Sequence, residues 1–216
     1  MYVFYLHGFA SSPASGKARY FRDRLAAHGL TLDAPDFNLP DFASLTVTRM
    51  LDQLDAALDA RPAGPVALIG SSLGAFVALH TAARRHEVAG QPHPVTGLIL
   101  LAPALDFGAD RRLDAVAEEW RRAGCRQVFH YAYGRPMEVG YALYEDARRY
   151  DSGRVNIDVP TLIFHGRRDE VVSPSTAIEF AASRPTVRLR LLDDDHQLQG
   201  HLPEIWQEIH AFLDLL

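Results

Sequence analysis

The chain is short of several things, and each shortage excludes a class of protein. Its one cysteine, Cys125, allows no internal disulfide and suits a reducing cytosol. Its expected role is that of a small, half-buried hydrophobe. No uninterrupted apolar run approaches the ~18 residues of a membrane span, so no membrane partner is expected. The opening Met1-Tyr2-Val3-Phe4-Tyr5-Leu6 has no basic segment ahead of its apolar residues, which favours a strand over a secretory leader. Basic residues never run longer than pairs such as Arg84-Arg85 and Arg148-Arg149, and the net charge is −5. Nothing there supplies an electrostatic footprint for nucleic acid. Lys17 is the only lysine. The histidines, including His80, His86 and His210, show no metal-ligand spacing, so neither metal nor cofactor is expected.

What is present reads as one globular domain over 1–216, long enough to bury a sizeable core without cross-links. Strand-length apolar runs alternate with helical spacing. Strands are expected at 2–6, 31–36, 66–70, 98–102, 161–165 and 187–192. Helices are expected at about 15–28, from Leu45 past Leu58, at 72–86, from Ser173-Pro174 onward, and from Pro203 to the last residues. Thr96 to Pro103 and Thr161 to His165 are continuously apolar, as parallel strands covered on both faces are. The alternation implies an α/β fold with a mostly or wholly parallel sheet.

Residues 104–159 break the pattern, being too long for a simple crossover. A helix is expected from Asp110 to Ala123, with Leu113, Val116, Ala117 and Trp120 on one face. A second is expected over about 138–149, amid the aromatic cluster Phe129, His130, Tyr131, Tyr133, Tyr141 and Tyr144. Two readings stand side by side: a cap over a pocket, or a longer peripheral connection packed on the sheet.

The chemistry gathers on Gly70-Ser71-Ser72-Leu73-Gly74, a G-x-S-x-G set between an apolar strand and a helix. That context suits a nucleophile elbow, in which the central serine stands clear of the sheet on a tight turn. Five residues do not make a site. Ser72 needs a base to take its proton and a carboxylate to orient the base. The strand 161–165 runs into Gly166-Arg167-Arg168-Asp169, and the strand 187–192 runs into Asp193-Asp194-Asp195-His196. Both loops leave carboxyl ends of strands, where the functional groups of open α/β sheets collect. Asp169 is therefore the expected acid and His196 the expected base. Asp106, after the strand 98–102, is a rival acid; Glu170 and His201 are less well placed, and Asp193 to Asp195 read as a solvated acidic turn. An oxyanion hole is expected from the backbone N–H groups of Leu73, at its helix N-terminus, and of Phe9, in the loop after the first strand. His7 is read as a brace for that loop and the Phe9 side chain as pocket lining. Gly16-Lys17 also resembles part of a phosphate-binding loop, but Ser11 stands where its first glycine is required and Ala18 where its hydroxyl is required.

Together HGFASSP, GSSLG, PTLIFHGRRDEVVSP and the histidine of DDDHQL resemble the small bacterial serine esterases of the α/β-hydrolase superfamily. The resemblance covers nearly the whole chain and is weakest over 104–159. It implies a reduced sheet of about six strands in the order 2-1-3-4-5-6, flanked by helices, with a short helical cap insertion and without the two antiparallel strands that open larger members. It also implies Ser72 as nucleophile, Asp169 and His196 as its partners, and the amides of Phe9 and Leu73 as oxyanion donors. The implied substrate is a small carboxylic ester, with an acyl thioester as the close alternative. A non-catalytic binding protein on the same fold is the alternative from another class.

Overall fold

The computed structural model describes residues 1–86, 92–109, 111–156 and 158–216, with backbone alone at 111–113. Asp110 and the side chain of Leu113, named above for a helix, lie outside the described residues. The first strand, β1 (Tyr2–Leu6), leads to α1 (Gly16–Ala27), capped at its start by the Ser15 hydroxyl, which accepts from Ala18 N–H at 3.3 Å. Next come β2 (Leu32–Asp33), α2 (Val47–Asp59), β3 (Val66–Ser71) and α3 (Leu73–His86), then β4 (Val95–Leu101). β2 is shorter than the expected 31–36, because Pro35 has no N–H to donate to a neighbouring strand.

The insertion contains α4 (Arg111–Ala123), the antiparallel pair β5 (Cys125–His130) and β6 (Arg135–Gly140), and α5 (Ala142–Ala147). The helix expected over 138–149 is thus a correction. Its first residues belong to β6, and only 142–147 are α-helical. Val128, Phe129 and His130 favour a strand, and the turn that reverses it closes on Gly134 at φ 64°. The chain then returns to the alternation with β7 (Thr161–Gly166), α6 (Pro174–Ala182), β8 (Val187–Leu192) and α7 (Leu202–Leu213). Ser173 caps α6 ahead of Pro174, as expected.

Six strands form one parallel sheet in the order β2-β1-β3-β4-β7-β8. Counted along the chain, this is the order 2-1-3-4-5-6. Side-chain alternation splits its apolar residues between two cores. Val3, Tyr5, Ala67, Ile69, Ile99, Leu101, Leu162 and Phe164 pack with α1 and α7. Phe4, Leu6, Leu68, Leu98, Leu100 and Ile163 pack with α2, α3 and the insertion on the other face. Each of the four inner strands, β1, β3, β4 and β7, is therefore apolar on both sides, while the edge strand β8 carries Arg188 and Arg190 on one of its faces. α3 is buried along almost its whole length, and its last turn is tied to α2 by Arg85, which pairs with Asp55 and Asp59, each at 2.7 Å. Among the described residues no helix is long and apolar enough to cross a membrane.

The junction of β3 and α3 is the tightest point of this packing. A Cβ on Gly70 would stand 2.5 Å from the Ala75 Cα, and one on Gly74 would stand 2.0 Å from the Leu6 carbonyl oxygen of β1. Backbone cannot yield as a flexible side chain can, so both positions exclude any larger residue. Gly74→Ala is expected to cost about 3 kcal/mol or more. Urea unfolding measures this, and a loss under ~0.5 kcal/mol would contradict the packing described.

Candidate active site

The site is assembled from four loops at the carboxyl edge of the sheet. β3 delivers Ser72 on a turn with φ 54°, the left-handed region that non-glycine residues seldom occupy. Its N–H donates to the Leu101 carbonyl at 2.9 Å, and its own carbonyl accepts from Ala75, Phe76 and Ala104. Such a conformation costs ~1–3 kcal/mol and persists only where surrounding contacts impose it. Gly8 lets the loop after β1 cross over the turn: a Cβ there would lie 3.3 Å from that of Ser72.

His196 reaches Ser72 from the loop after β8. The Ser72 hydroxyl donates to its Nε2 at 3.1 Å, and its Nδ1–H donates to Asp169 Oδ2 at 2.7 Å. Asp169, from the loop after β7, is buried and fully engaged. Its Oδ1 accepts from the N–H groups of Val171 and Val172, at 2.9 and 2.8 Å. Its Oδ2 accepts from His196 and also lies 3.1 Å from Nε2 of the buried His165. Burial alone would raise the Asp169 pKa, but the hydrogen bonds from His165, His196 and Val172 outweigh it and hold the carboxyl well below its ordinary range.

The structure brings Ser72, His196 and Asp169 together and leaves their rivals elsewhere. Asp106 lines the same cavity as Ser72, while it is Asp169 that accepts the hydrogen bond from His196 Nδ1–H. Glu170 is exposed. His201 faces Asp194 Oδ2 at 2.9 Å. Asp194 is more than a solvated turn residue, since it also accepts from Asp195 N–H and Gly200 N–H and so shapes the loop bearing His196. Among the described residues, the N–H groups of Phe9 and Leu73 donate to no protein acceptor. His7 braces the Phe9 loop: its Nδ1–H donates to the Gly8 carbonyl at 2.9 Å, and its Nε2 accepts from Phe37 N–H at 3.1 Å.

Two neighbours of this constellation were missed by sequence reading. His165 was treated only as the end of a strand. Lys17, which by sequence matches only part of a phosphate-binding loop, is buried, and its Nζ donates to the Gln197 carbonyl at 3.0 Å, beside His196. Burial lowers its pKa to about 8, while the carboxylates of Asp195, Asp169 and Asp194 act to raise it. A lone lysine among basic residues that are otherwise all arginine is the one signal available for it.

Beside Ser72 lies a cavity of about 290 Å³. Phe9, Leu73, Val171 and Val172 form its sheet side, and Trp120, Val128, Val139 and Leu143 come from the insertion, with Arg126 and Asp106 the charged groups. The Trp120 indole N–H donates to the Val139 carbonyl at 3.1 Å, which fixes α4 on the β5–β6 pair. That pair docks in turn on the loops after β1 and β2: Ala132 N–H donates to the Ala10 carbonyl, and Gly140 N–H to that of Ala43. Among the described residues no three His, Cys, Asp or Glu side chains cluster as metal ligands would.

The parallel sheet, the strained serine and the facing histidine and carboxylate define the class as an α/β-hydrolase fold. Within it, the chain belongs to UPF0227, an uncharacterised protein family whose model matches residues 2–214. A crystal structure from Agrobacterium vitis S4, provisionally named a hydrolase, is 27% identical and superposes with a TM-score of 0.86 over 97% of this chain and 86% of that one. Mouse alpha/beta hydrolase domain-containing protein 10 is 21% identical, with a TM-score of 0.81 over 98% of this chain and 89% of its own. In sequence, Lipase LipV of Mycobacterium tuberculosis (strain ATCC 25618 / H37Rv) is 35% identical over 99 residues. That match spans 43% of this chain and only 36% of the lipase.

The state of Asp169 has a consequence for stability. A carboxyl whose pKa is depressed by folding stabilises the fold above its unfolded value of ~3.9, and that contribution drains away as pH falls toward the folded value. Wild type is therefore expected to be more stable than Asp169→Asn near pH 7, with the difference shrinking below about pH 4. Urea unfolding of both proteins across pH 3–7 measures it, and a constant difference would contradict the assigned hydrogen bonding.

Proposed function

We propose that the chain is a serine hydrolase that cleaves a small carboxylic ester through an acyl-enzyme on Ser72. The observation that carries this reading is the unbroken path from Ser72 Oγ through His196 to Asp169, at 3.1 and 2.7 Å. His196 Nε2 takes the hydroxyl proton as Oγ attacks the ester carbonyl. The resulting oxyanion lies against the N–H groups of Phe9 and Leu73, helped by the positive end of α3. As the tetrahedral adduct collapses, the C–O bond to the alcohol breaks and His196 returns the proton to the leaving oxygen. Water then enters, gives a proton to His196 and attacks the acyl carbon; collapse of the second adduct frees the acid and restores Ser72. Asp169 stays ionised throughout, holding the tautomer and stabilising the imidazolium. The same steps apply to an acyl thioester.

Residues 104–159 act as a cap in this reading, within one domain spanning 1–216. Six apolar side chains of the cap, Ala104, Phe107, Trp120, Val128, Val139 and Leu143, line the cavity beside Ser72, which favours an apolar acyl group of limited length.

A fluorophosphonate is expected to label wild type and not Ser72→Ala. Folded wild-type protein that stays unlabelled would sink the proposal. Asp169→Asn is expected to lower kcat by ~10⁴-fold, and loss of that size in Asp106→Asn instead would move the acid. Across p-nitrophenyl esters of graded chain length, Val128→Trp is expected to shorten the longest acyl group turned over. An unchanged length profile would remove the cap from the acyl pocket.

A further inference from the structure

One buried titratable side chain touches the proposed machinery and takes no part in the steps just given. His165 is wholly buried in β7, with Nε2 3.1 Å from Asp169 Oδ2 and also 3.1 Å from the Val172 carbonyl oxygen. Both neighbours can only accept, so Nε2 carries a hydrogen. The other ring nitrogen, Nδ1, is buried without a hydrogen-bond partner among the described residues. A hydrogen there would be an unsatisfied buried donor, so Nδ1 is the bare nitrogen and the ring is a neutral donor. With Val171 and Val172 on Oδ1 and both histidines on Oδ2, four N–H groups face Asp169, and the one from His165 is shared with the Val172 carbonyl to which it hydrogen-bonds.

We infer that His165 is a positioning residue for the acid of the triad, which fixes the Asp169 carboxylate and competes with His196 for Oδ2. This rests on the proposed roles of Asp169 and His196. Two effects follow from sharing one oxygen. The carboxylate is held on both sides and cannot rotate away from the imidazole. Part of its charge is also committed to His165, which limits how strongly it favours the protonated form of His196. The Val172 carbonyl ties the ring to the same loop that supplies both N–H donors, so acid, donors and ring form one rigid unit. The other charged group acting on Asp169 is Lys17 of α1, whose field is shared with Asp194 and Asp195.

Three substitutions separate positioning from packing. His165→Gln puts an amide N–H close to the position of Nε2, His165→Asn places it near Nδ1, and His165→Phe fills the space without a donor. Losing the donor leaves Asp169 a stronger acceptor toward His196. In the Phe and Asn variants the acidic limb of kcat/KM is then expected to move up by roughly 0.5 to 1 pH unit. Their kcat is expected to fall about tenfold. Gln is expected to restore both. If Phe does not fold, the Gln and Asn pair carries the comparison. The low-field proton resonance of the Nδ1–H between His196 and Asp169 gives a readout independent of turnover. It is expected to move in the Asn and Phe variants and to stay in place in Gln. Equal loss of kcat in all three with an unmoved limb and an unmoved resonance would overturn the inference. An inactive wild type whose resonance still moves as described would sink the proposed function and leave the positioning role standing.

Discussion

Everything at the carboxyl edge of this sheet depends on one close approach. The backbone at Gly74 passes so near the Leu6 carbonyl of β1 that no side chain fits between them. That contact presses the start of α3 against β1 and leaves the intervening turn little freedom. Ser72 is thereby held at φ 54°, out of the sheet and at the N-terminus of α3. The same approach puts the loop carrying Gly8 and Phe9 directly over the serine. Ser72 and the expected oxyanion donors are thus placed by a single packing constraint, and the glycines of the motif are its chemical signature.

The acid side works by saturation. Asp169 is removed from water yet remains ionised, because two backbone N–H groups and two histidines surround its oxygens. A buried carboxylate with fewer donors would be drawn toward its protonated form and would orient His196 poorly. The loop bearing His196 is similarly over-determined, by Asp194 from within and by the Lys17 ammonium from α1. Such rigidity suits the proposed proton relay, whose geometry would have to be in place before substrate arrives.

Much of this could be read from the chain. Ser72 and Asp169 sit on loops that follow continuously apolar strands, His196 follows the alternating strand Val187–Leu192, and in a parallel sheet all three loops lie at the same carboxyl edge. The alternation gave the parallel sheet, and the six-strand order came with the resemblance to the α/β-hydrolase esterases. Legibility failed where the local pattern was ambiguous. The residues of the β5–β6 pair do not alternate cleanly between apolar and polar, and the helix expected over about 138–149 overlaps the end of β6. His165 and Lys17 escaped for another reason. Their partners are the Asp169 carboxylate and the Gln197 carbonyl, contacts set by tertiary packing, and no spacing rule announces them.

The insertion completes the cavity beside Ser72 with Trp120, Val128, Val139 and Leu143, so the acyl group of the proposed reaction would be shaped by the part of the chain least readable in advance. The central claim remains the covalent step. Rapid acid quenching of wild type mixed with excess p-nitrophenyl butyrate, followed by mass spectrometry of its peptides, tests it most directly. The account expects one butyryl group, carried on the peptide containing Ser72, and none in Ser72→Ala. Turnover of the ester with the acyl group on another residue, or persisting in Ser72→Ala, would contradict it.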